Sequence, residues 1–233
     1  MTDKSLEKLI NTLNRGQRKD HIFIRKLTDT VDLVKVFKDN PLINDSINFN
    51  DILPDTYYCI RNNNQYVGIV FDMCSDLHWF VKKEHRGNGY LTKSLKQIIL
   101  PFILQERDEQ RITISLYGIG RQNFEASKKV AVNVGFCLHS ELDEKYEYVI
   151  KFDDLDDLDE FDGIEGINMN LSKDELKKIA QKVFFYTKKL IRIQTKLEMC
   201  FGSDDETIFE FKERIEKIKY MTTRIEDIWY NYK

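Results

Sequence analysis

The stretch Asp76–Leu104, DLHWFVKKEHRGNGYLTKSLKQIILPFIL, decides how the rest of the chain is read. Its residues from Leu77 to Val81 predict a short strand. Arg86, Gly87, Asn88 and Gly89 then turn the chain, and Leu91, Leu95, Ile98, Ile99 and Phe102 fall at helical spacing after Tyr90. Such a turn leaves the first N–H groups of the helix without partners and aims them, with the positive end of the helix dipole, at one small volume. A phosphate or pyrophosphate fits there, and glycine at 87 and 89 lets an anion reach the backbone without striking a Cβ. A glycine turn often does no more than close the chain, so the residues flanking it carry the distinction.

The order Arg86-Gly87-Asn88-Gly89-Tyr90-Leu91, after Val81-Lys82-Lys83-Glu84-His85, resembles the acetyl-CoA signature of the GNAT acetyltransferase superfamily. That signature is Gln/Arg-x-x-Gly-x-Gly/Ala after a strand ending in valine, and Leu91 stands at its small-residue position. Neither the Lys-Ser/Thr of a Walker loop nor a third glycine at Rossmann spacing is present. A helix predicted from about Gln122 to Asn133 and ended by Gly135 supplies a second match. There Asn123, Ser127, Val130, Gly135 and Phe136 resemble the family's other signature, with Asn123 one residue early.

The resemblance covers residues 20–152 and implies an α/β (α+β) fold, a mixed, mostly antiparallel central sheet flanked by helices. It implies acetyl-CoA as co-substrate and direct transfer of its acetyl group to an amine of a protein or small molecule. Phe80, Val81, Arg86, Gly87, Asn88, Gly89, Tyr90, Leu91, Thr92 and Asn123 become the cofactor-binding residues, with the backbone near Phe80 and Val81 at the acetyl group.

Such a transfer needs a base for the amine, a donor for the oxyanion and a proton or dipole for the leaving thiolate. The family commonly meets the third need with a tyrosine four residues before the Gly-Phe pair, where this chain has Ala131. Tyr117, at the end of the predicted fifth strand, is a substitute acid or a core or rim tyrosine. His78 is a base, since an imidazole titrates near pH 6.5, or a packed histidine turned from the cleft. Asp76 is a weaker candidate, and Glu84 and His85 read as solvated.

Outward from this stretch, Leu6, Leu9, Ile10 and Leu13 line one face of an amphipathic helix that stops at Gly16, a packing arm in residues 1–19. His21–Lys26 alternates as a first strand. Thr28–Lys38, with Val31, Val34 and Phe37 at helical spacing, predicts a helix, and Leu42–Leu53 a second one ended by Pro54. By the resemblance these two helices cover the acceptor site. Tyr57–Arg61 and Tyr66–Cys74 predict strands joined at Asn62-Asn63-Asn64, and Arg111–Tyr117, Phe136–His139 and Lys145–Phe152 predict the remaining strands.

Residues 153–171 form an acidic linker, whose DDLDDLDEFDGIE lacks the full calcium-loop pattern, so no metal is expected. Beyond it the periodicity is strongest. Leu176, Ile179, Val183, Tyr186, Leu190, Ile193, Leu197 and Cys200 alternate steps of three and four, as do Ile208, Phe211, Ile215, Ile218, Thr222, Ile225 and Trp229. Capping boxes at Ser172/Glu175 and Ser203/Glu206 mark two helix starts, and the break at Gly202 is short. Residues 172–233 are therefore predicted as an antiparallel helical hairpin with a coiled-coil seam. Phe184, Phe185, Phe209 and Tyr230 fall off that seam, which suggests a homo-oligomer or a protein partner.

Composition narrows the classes. A net charge of −3 gives no global attraction for nucleic acid, and the lysines dotting the hairpin alternate with acids as on a solvated face. No apolar run approaches the roughly 20 residues of a membrane span, MTDKSLEKL lacks a signal-peptide core, and the four cysteines show no CxxC, so a cytoplasmic protein is expected. Two functions fit: an acetyl-CoA-dependent N-acetyltransferase, or a catalytically weak or inactive protein on the same scaffold that serves a larger assembly through its hairpin.

Overall fold

The computed structural model describes residues 2–16, 21–38, 53–154, 171–225 and 227–231. The chain divides into two compact units, Met1–Asn168 and Met169–Lys233. Most of the predicted helix Leu42–Leu53 and of the acidic linker lies outside the described residues.

The first unit opens with α1 (Asp3–Asn14), started by a capping box between Thr2 and Ser5. Five strands follow: β1 (Ile22–Lys26), β2 (Val31–Val36), β3 (Asp55–Asn62), β4 (Gln65–Asp72) and β5 (Leu77–Val81). They pair antiparallel in sequence order, so β5 lies at one edge. The β3–β4 hairpin turns at Asn63, whose φ of 53° is one that asparagine tolerates.

The predicted helix over Thr28–Lys38 is a correction, because β2 occupies it. Val31, Val34 and Val36 are β-branched, the strand is paired on both sides, and Val31 to Val34 are buried on both faces. A central strand with two covered faces presents an apolar run whose spacing cannot be told from that of a short helix. Its buried Asp32 is held by the Arg61 guanidinium and the Tyr66 hydroxyl.

After β5 a helical segment runs through α2 (Tyr90–Ser94), a wide π-type turn at Leu95–Ile99, and α3 (Leu100–Ile103). Pro101 accounts for the wide turn: it has no N–H to give and its ring would strike the carbonyl one turn back. A second antiparallel sheet, ordered β6-β8-β7, is built from β6 (Glu109–Ser115), β7 (Cys137–Leu142) and β8 (Lys145–Lys151). Between β6 and β7 lies α4 (Leu116–Val134), broken at Gly120 and ended by Gly135 in the left-handed conformation. The expected mixed sheet is thus two antiparallel sheets joined by one isolated parallel bridge, Asp76 to Arg111.

One core lies between the strands and α2–α4, with Leu91, Leu95, Ile99, Ile112, Phe124 and Ile150 in it. A second lies under α1, where Leu6 and Ile10 are 0% exposed against Val34, Tyr57, Ile69 and Phe80. The N-terminal helix is therefore an arm packed into this unit's own core.

The second unit contains α5 (Lys173–Phe201), α6 (Glu206–Arg224) and the short α7 (Ile228–Asn231). Glu198 lies 3.6 Å from Lys212 beside the turn, and Lys173 donates to the Tyr230 hydroxyl at 2.6 Å at the other end, so α6 returns antiparallel to α5. The Ser172/Glu175 box forms as predicted, whereas Asp205 and not Ser203 caps α6. The seam of α5 is rotated from the predicted one: Leu176, Ala180, Thr187 and Gln194 are buried, while Ile179, Tyr186 and Ile193 are exposed. No helix among the described residues is long and apolar enough to cross a membrane.

Candidate functional site

Beyond the Asp76–Arg111 bridge, β5 and β6 part, and a cleft of about 420 Å³ opens between them. Leu77–Val81 forms one wall, Ile112–Ser115 the facing one, and Ile119, Asn123, Ser127 and Val130 of α4 close the back. Asp76 holds the point of divergence. Its Oδ1 accepts from the Leu77 and Thr113 N–H groups, both at 2.9 Å, which a continuing ladder would otherwise have paired. Burial pushes the Asp76 carboxyl up, and those hydrogen bonds oppose the shift. The candidate base Asp76 is thus occupied as a clasp.

The glycine turn lies at one end of the cleft. Gly87 and Gly89 have φ of 78° and 75°, the left-handed region that glycine enters without penalty, and the space above both is open. No side chain caps α2, whose first backbone bond runs from Lys93 N–H to the Gly89 carbonyl. The N–H groups of Tyr90, Leu91 and Thr92 are left facing the turn. Leu91 is only 8% exposed and belongs to the core, so its bulk is directed away from the turn that it helps to line.

Arg86 folds back across the cleft. Its Nε donates to the Val81 carbonyl at 2.9 Å and its Nη1 to Asn123 Oδ1 at 3.2 Å. The Asn123 amide in turn donates to the Ile119 carbonyl at 3.1 Å, which fixes its orientation despite the one-residue displacement in sequence. Midway along, Trp79 Nε1 donates to Ser127 Oγ at 3.4 Å, a second bridge from β5 to α4.

Strand alternation sorts β5. Leu77, Trp79 and Val81 face the α2–α4 core, whereas Phe80 packs under α1 and His78 lies 3.3 Å from Asp3 of that helix. His78 and Asp3 line the end of the cleft opposite the turn. Of the sequence-predicted site residues, the structure brings together His78, Phe80, Val81, Arg86, Gly87, Gly89, Tyr90, Leu91, Thr92 and Asn123. Asn88 is set apart, because its amide turns back onto the His85 and Arg86 carbonyls and closes the loop. Tyr117 requires a correction: β6 ends at Ser115, and Tyr117 sits in the first turn of α4, 82% exposed and outside the cleft lining. Ala131 is fully buried in the core, and no hydroxyl stands at the position where the resemblance expects a tyrosine.

Sequence reasoning missed Trp79, Asn133 and Asp3 as cleft residues. Alternation along β5 placed Trp79 opposite His78, which was a usable signal; nothing in sequence joins residue 3 to residue 78.

No family model matches the chain, and no curated protein does. Solved structures with a similar arrangement include aminoglycoside acetyltransferase AAC(6')-Ib in complex with coenzyme A and kanamycin, at 14% identity and a TM-score of 0.37, covering 66% of this chain and 93% of that one. The same enzyme with paromomycin and acetyl-CoA matches at 11% identity and a TM-score of 0.35, over 43% of this chain and 66% of that one. The Campylobacter jejuni N-acetyltransferase PseH in complex with acetyl coenzyme A matches at 14% identity and a TM-score of 0.30, over 42% of this chain and 68% of that one.

Proposed function

We propose that the cleft binds a CoA thioester and that the protein is an acetyl-CoA-dependent N-acetyltransferase acting on an amine by direct transfer. The observation that carries this reading is the uncapped start of α2, whose N–H groups and two left-handed glycines open onto the cleft that the edge strand β5 lines. An anion such as a pyrophosphate is held there by backbone donors and the helix dipole. Apart from the Leu77 N–H and the Val81 carbonyl, which Asp76 and Arg86 engage, the cleft edge of β5 offers N–H and C=O groups to an amide-bearing chain, which can pair with it as an added strand would. Backbone near Phe80 and Val81 then meets the thioester, and an N–H there stabilises the oxyanion.

In this reading the amine nitrogen attacks the thioester carbon, a C–N bond forms as the C–S bond breaks, and His78 takes the proton that the amine sheds. Because neither Tyr117 nor residue 131 supplies an acid, the two positions that the sequence offered give the thiolate no tyrosine proton donor, and dipoles at the cleft carry more of the load.

Calorimetric titration with acetyl-CoA, beside the variant Gly89→Val, tests the reading. Micromolar binding is expected for the unaltered protein. The β-branched residue cannot adopt φ near 75° without strain, so affinity falls roughly a hundredfold in the variant, about 2.7 kcal/mol. An unaltered protein that does not bind acetyl-CoA sinks the proposal. The weight then passes to the scaffold reading, which the exposed Ile179, Tyr186 and Ile193 of α5 favour.

A further inference from the structure

We infer that Asp3, at the start of α1, positions the His78 imidazole as the proton acceptor of the cleft, and that the N-terminal helix thereby forms the acceptor side of the site. The inference rests on the acyl-transfer reading above and assigns a role that the reading does not include.

Asp3 and His78 are far apart in sequence and are brought together by the packing of α1 on the sheet. Leu6 and Ile10, wholly buried, fix that helix against β4 and β5, and the Thr2–Ser5 box fixes its first turn. The backbone of Asp3 is therefore held from both sides. Capping falls to Thr2 and Ser5, so the Asp3 carboxylate is not consumed by its own helix start. Among the described residues its one hydrogen-bond partner is His78, with Oδ1 3.3 Å from Nε2. Asp3 is also the only residue of α1 that lines the cleft.

Among the described residues the other carboxylate in electrostatic reach of the ring is that of Asp76, whose Oδ1 is engaged by the N–H groups of Leu77 and Thr113. Asp3 is thus the acid available to the imidazole. An Nε2–H donated to Asp3 puts the lone pair of the neutral ring on Nδ1, the atom left to accept a proton. As the amine nitrogen bonds to the thioester carbon and the C–S bond breaks, the amine proton moves to Nδ1. The Asp3 carboxylate then faces an imidazolium. His78 is the catalytic residue in this scheme and Asp3 the positioning residue.

The second histidine of the cleft lining, His85, serves as an internal control. It sits beside the glycine turn, with its ring 6.4 Å from that of Tyr90 and, among the described residues, no carboxylate bonded to it.

The test compares the full chain with Asp3→Asn, Asp3→Glu and His78→Gln. Two readouts are used: residue-resolved carbethoxylation by diethylpyrocarbonate, followed by mass spectrometry, and release of the CoA thiol from acetyl-CoA with a small aliphatic primary amine supplied in excess. At alkaline pH, where the rings are already neutral, carbethoxylation of His78 slows severalfold in Asp3→Asn, because the ring loses the carboxylate that makes Nδ1 more nucleophilic, while His85 and His139 react as before. The maximal rate of thiol release falls by a similar factor with KM for acetyl-CoA unchanged, Asp3→Glu restores part of it, and His78→Gln loses roughly a hundredfold. A purely structural Asp3 would not slow one histidine and spare the others. Equal His78 reactivity in Asp3→Asn, with acetyl-CoA binding intact, overturns the inference alone. Absence of acetyl-CoA binding by the unaltered protein overturns the acyl-transfer reading, and the role of the pair in transfer with it.

Discussion

The two ends of the cleft are built in opposite ways. At the turn end, Arg86 to Thr92 are consecutive, and the anion cradle proposed for them rests on local backbone geometry: two left-handed glycines and an uncapped helix start. At the other end, Asp3, Asp76, His78 and Thr113 come from α1, the approach to β5, β5 itself and β6, and they meet only because two cores and one strand divergence put them there. The first end depends on the conformations of a few residues. The second depends on the packing of the whole unit, so perturbations of packing fall on it first.

The largest test of that contrast is Leu6→Ala. Leu6 is 0% exposed beneath α1, and truncating a leucine so placed costs about 2–5 kcal/mol, read as a lowered midpoint in urea unfolding. In the molecules that remain folded, α1 is loosened, Asp3 leaves His78, and the carbethoxylation of His78 changes. Acetyl-CoA affinity, set at the other end, stays within about twofold, well under the tenfold that 1.4 kcal/mol represents. A parallel loss of affinity in the folded fraction would show that the ends are not independent.

The same contrast explains what was legible beforehand. The turn, the left-handed Asn63, the end of α4 at Gly135 and the start of α5 at Ser172 are each fixed by neighbours in sequence, and each stands where the residues placed it. The strand β2 reads as a helix in the sequence because burial on both faces erases the alternation that separates strand from helix. Tyr117 reads as a strand end because RITISLY alternates to its last residue, yet the ladder with β8 stops at the Ser115–Lys145 pair. In α5 the large residues Ile179, Tyr186 and Ile193 suggest the seam, whereas the smaller Ala180 and Thr187 with Gln194 are the buried ones. The Asp3–His78 contact had no sequence signal at all, since it depends on where α1 lands.

Asp76 gives the next effect in size, because it sits where the two sheets part. Asp76→Ala leaves the N–H groups of Leu77 and Thr113 without their acceptor, at a cost of about 2–3 kcal/mol, whereas Asp76→Asn keeps an oxygen in place and costs less than about 1 kcal/mol. The sign of the pH effect follows from the raised carboxyl. A carboxyl lifted by burial in the folded state favours folding while protonated, so its contribution is present below the unfolded value and is lost as pH rises through the folded one. Asp76→Asn removes that dependence, and urea midpoints taken on both sides of the carboxylate range check it. Midpoints of Asp76→Ala and Asp76→Asn that coincide would mean that the clasp does not hold the divergence.

The smallest effect belongs to the middle of the cleft, where neither end governs. The Trp79–Ser127 hydrogen bond is long, at 3.4 Å, so Trp79→Phe, which keeps an aromatic wall and removes the donor, alters stability by at most about 1 kcal/mol. Its value lies in position. An acyl-CoA chain running from the glycine turn towards His78 has to pass between β5 and α4, and so displaces this bond and changes the surroundings of the indole. The chain has two tryptophans, and replacing Trp229 by phenylalanine leaves Trp79 as the only indole. Its emission then shifts along the same binding curve that calorimetry gives for acetyl-CoA. An emission that stays constant while calorimetry saturates would place the ligand at the turn alone, and the two ends of the cleft would no longer belong to one site.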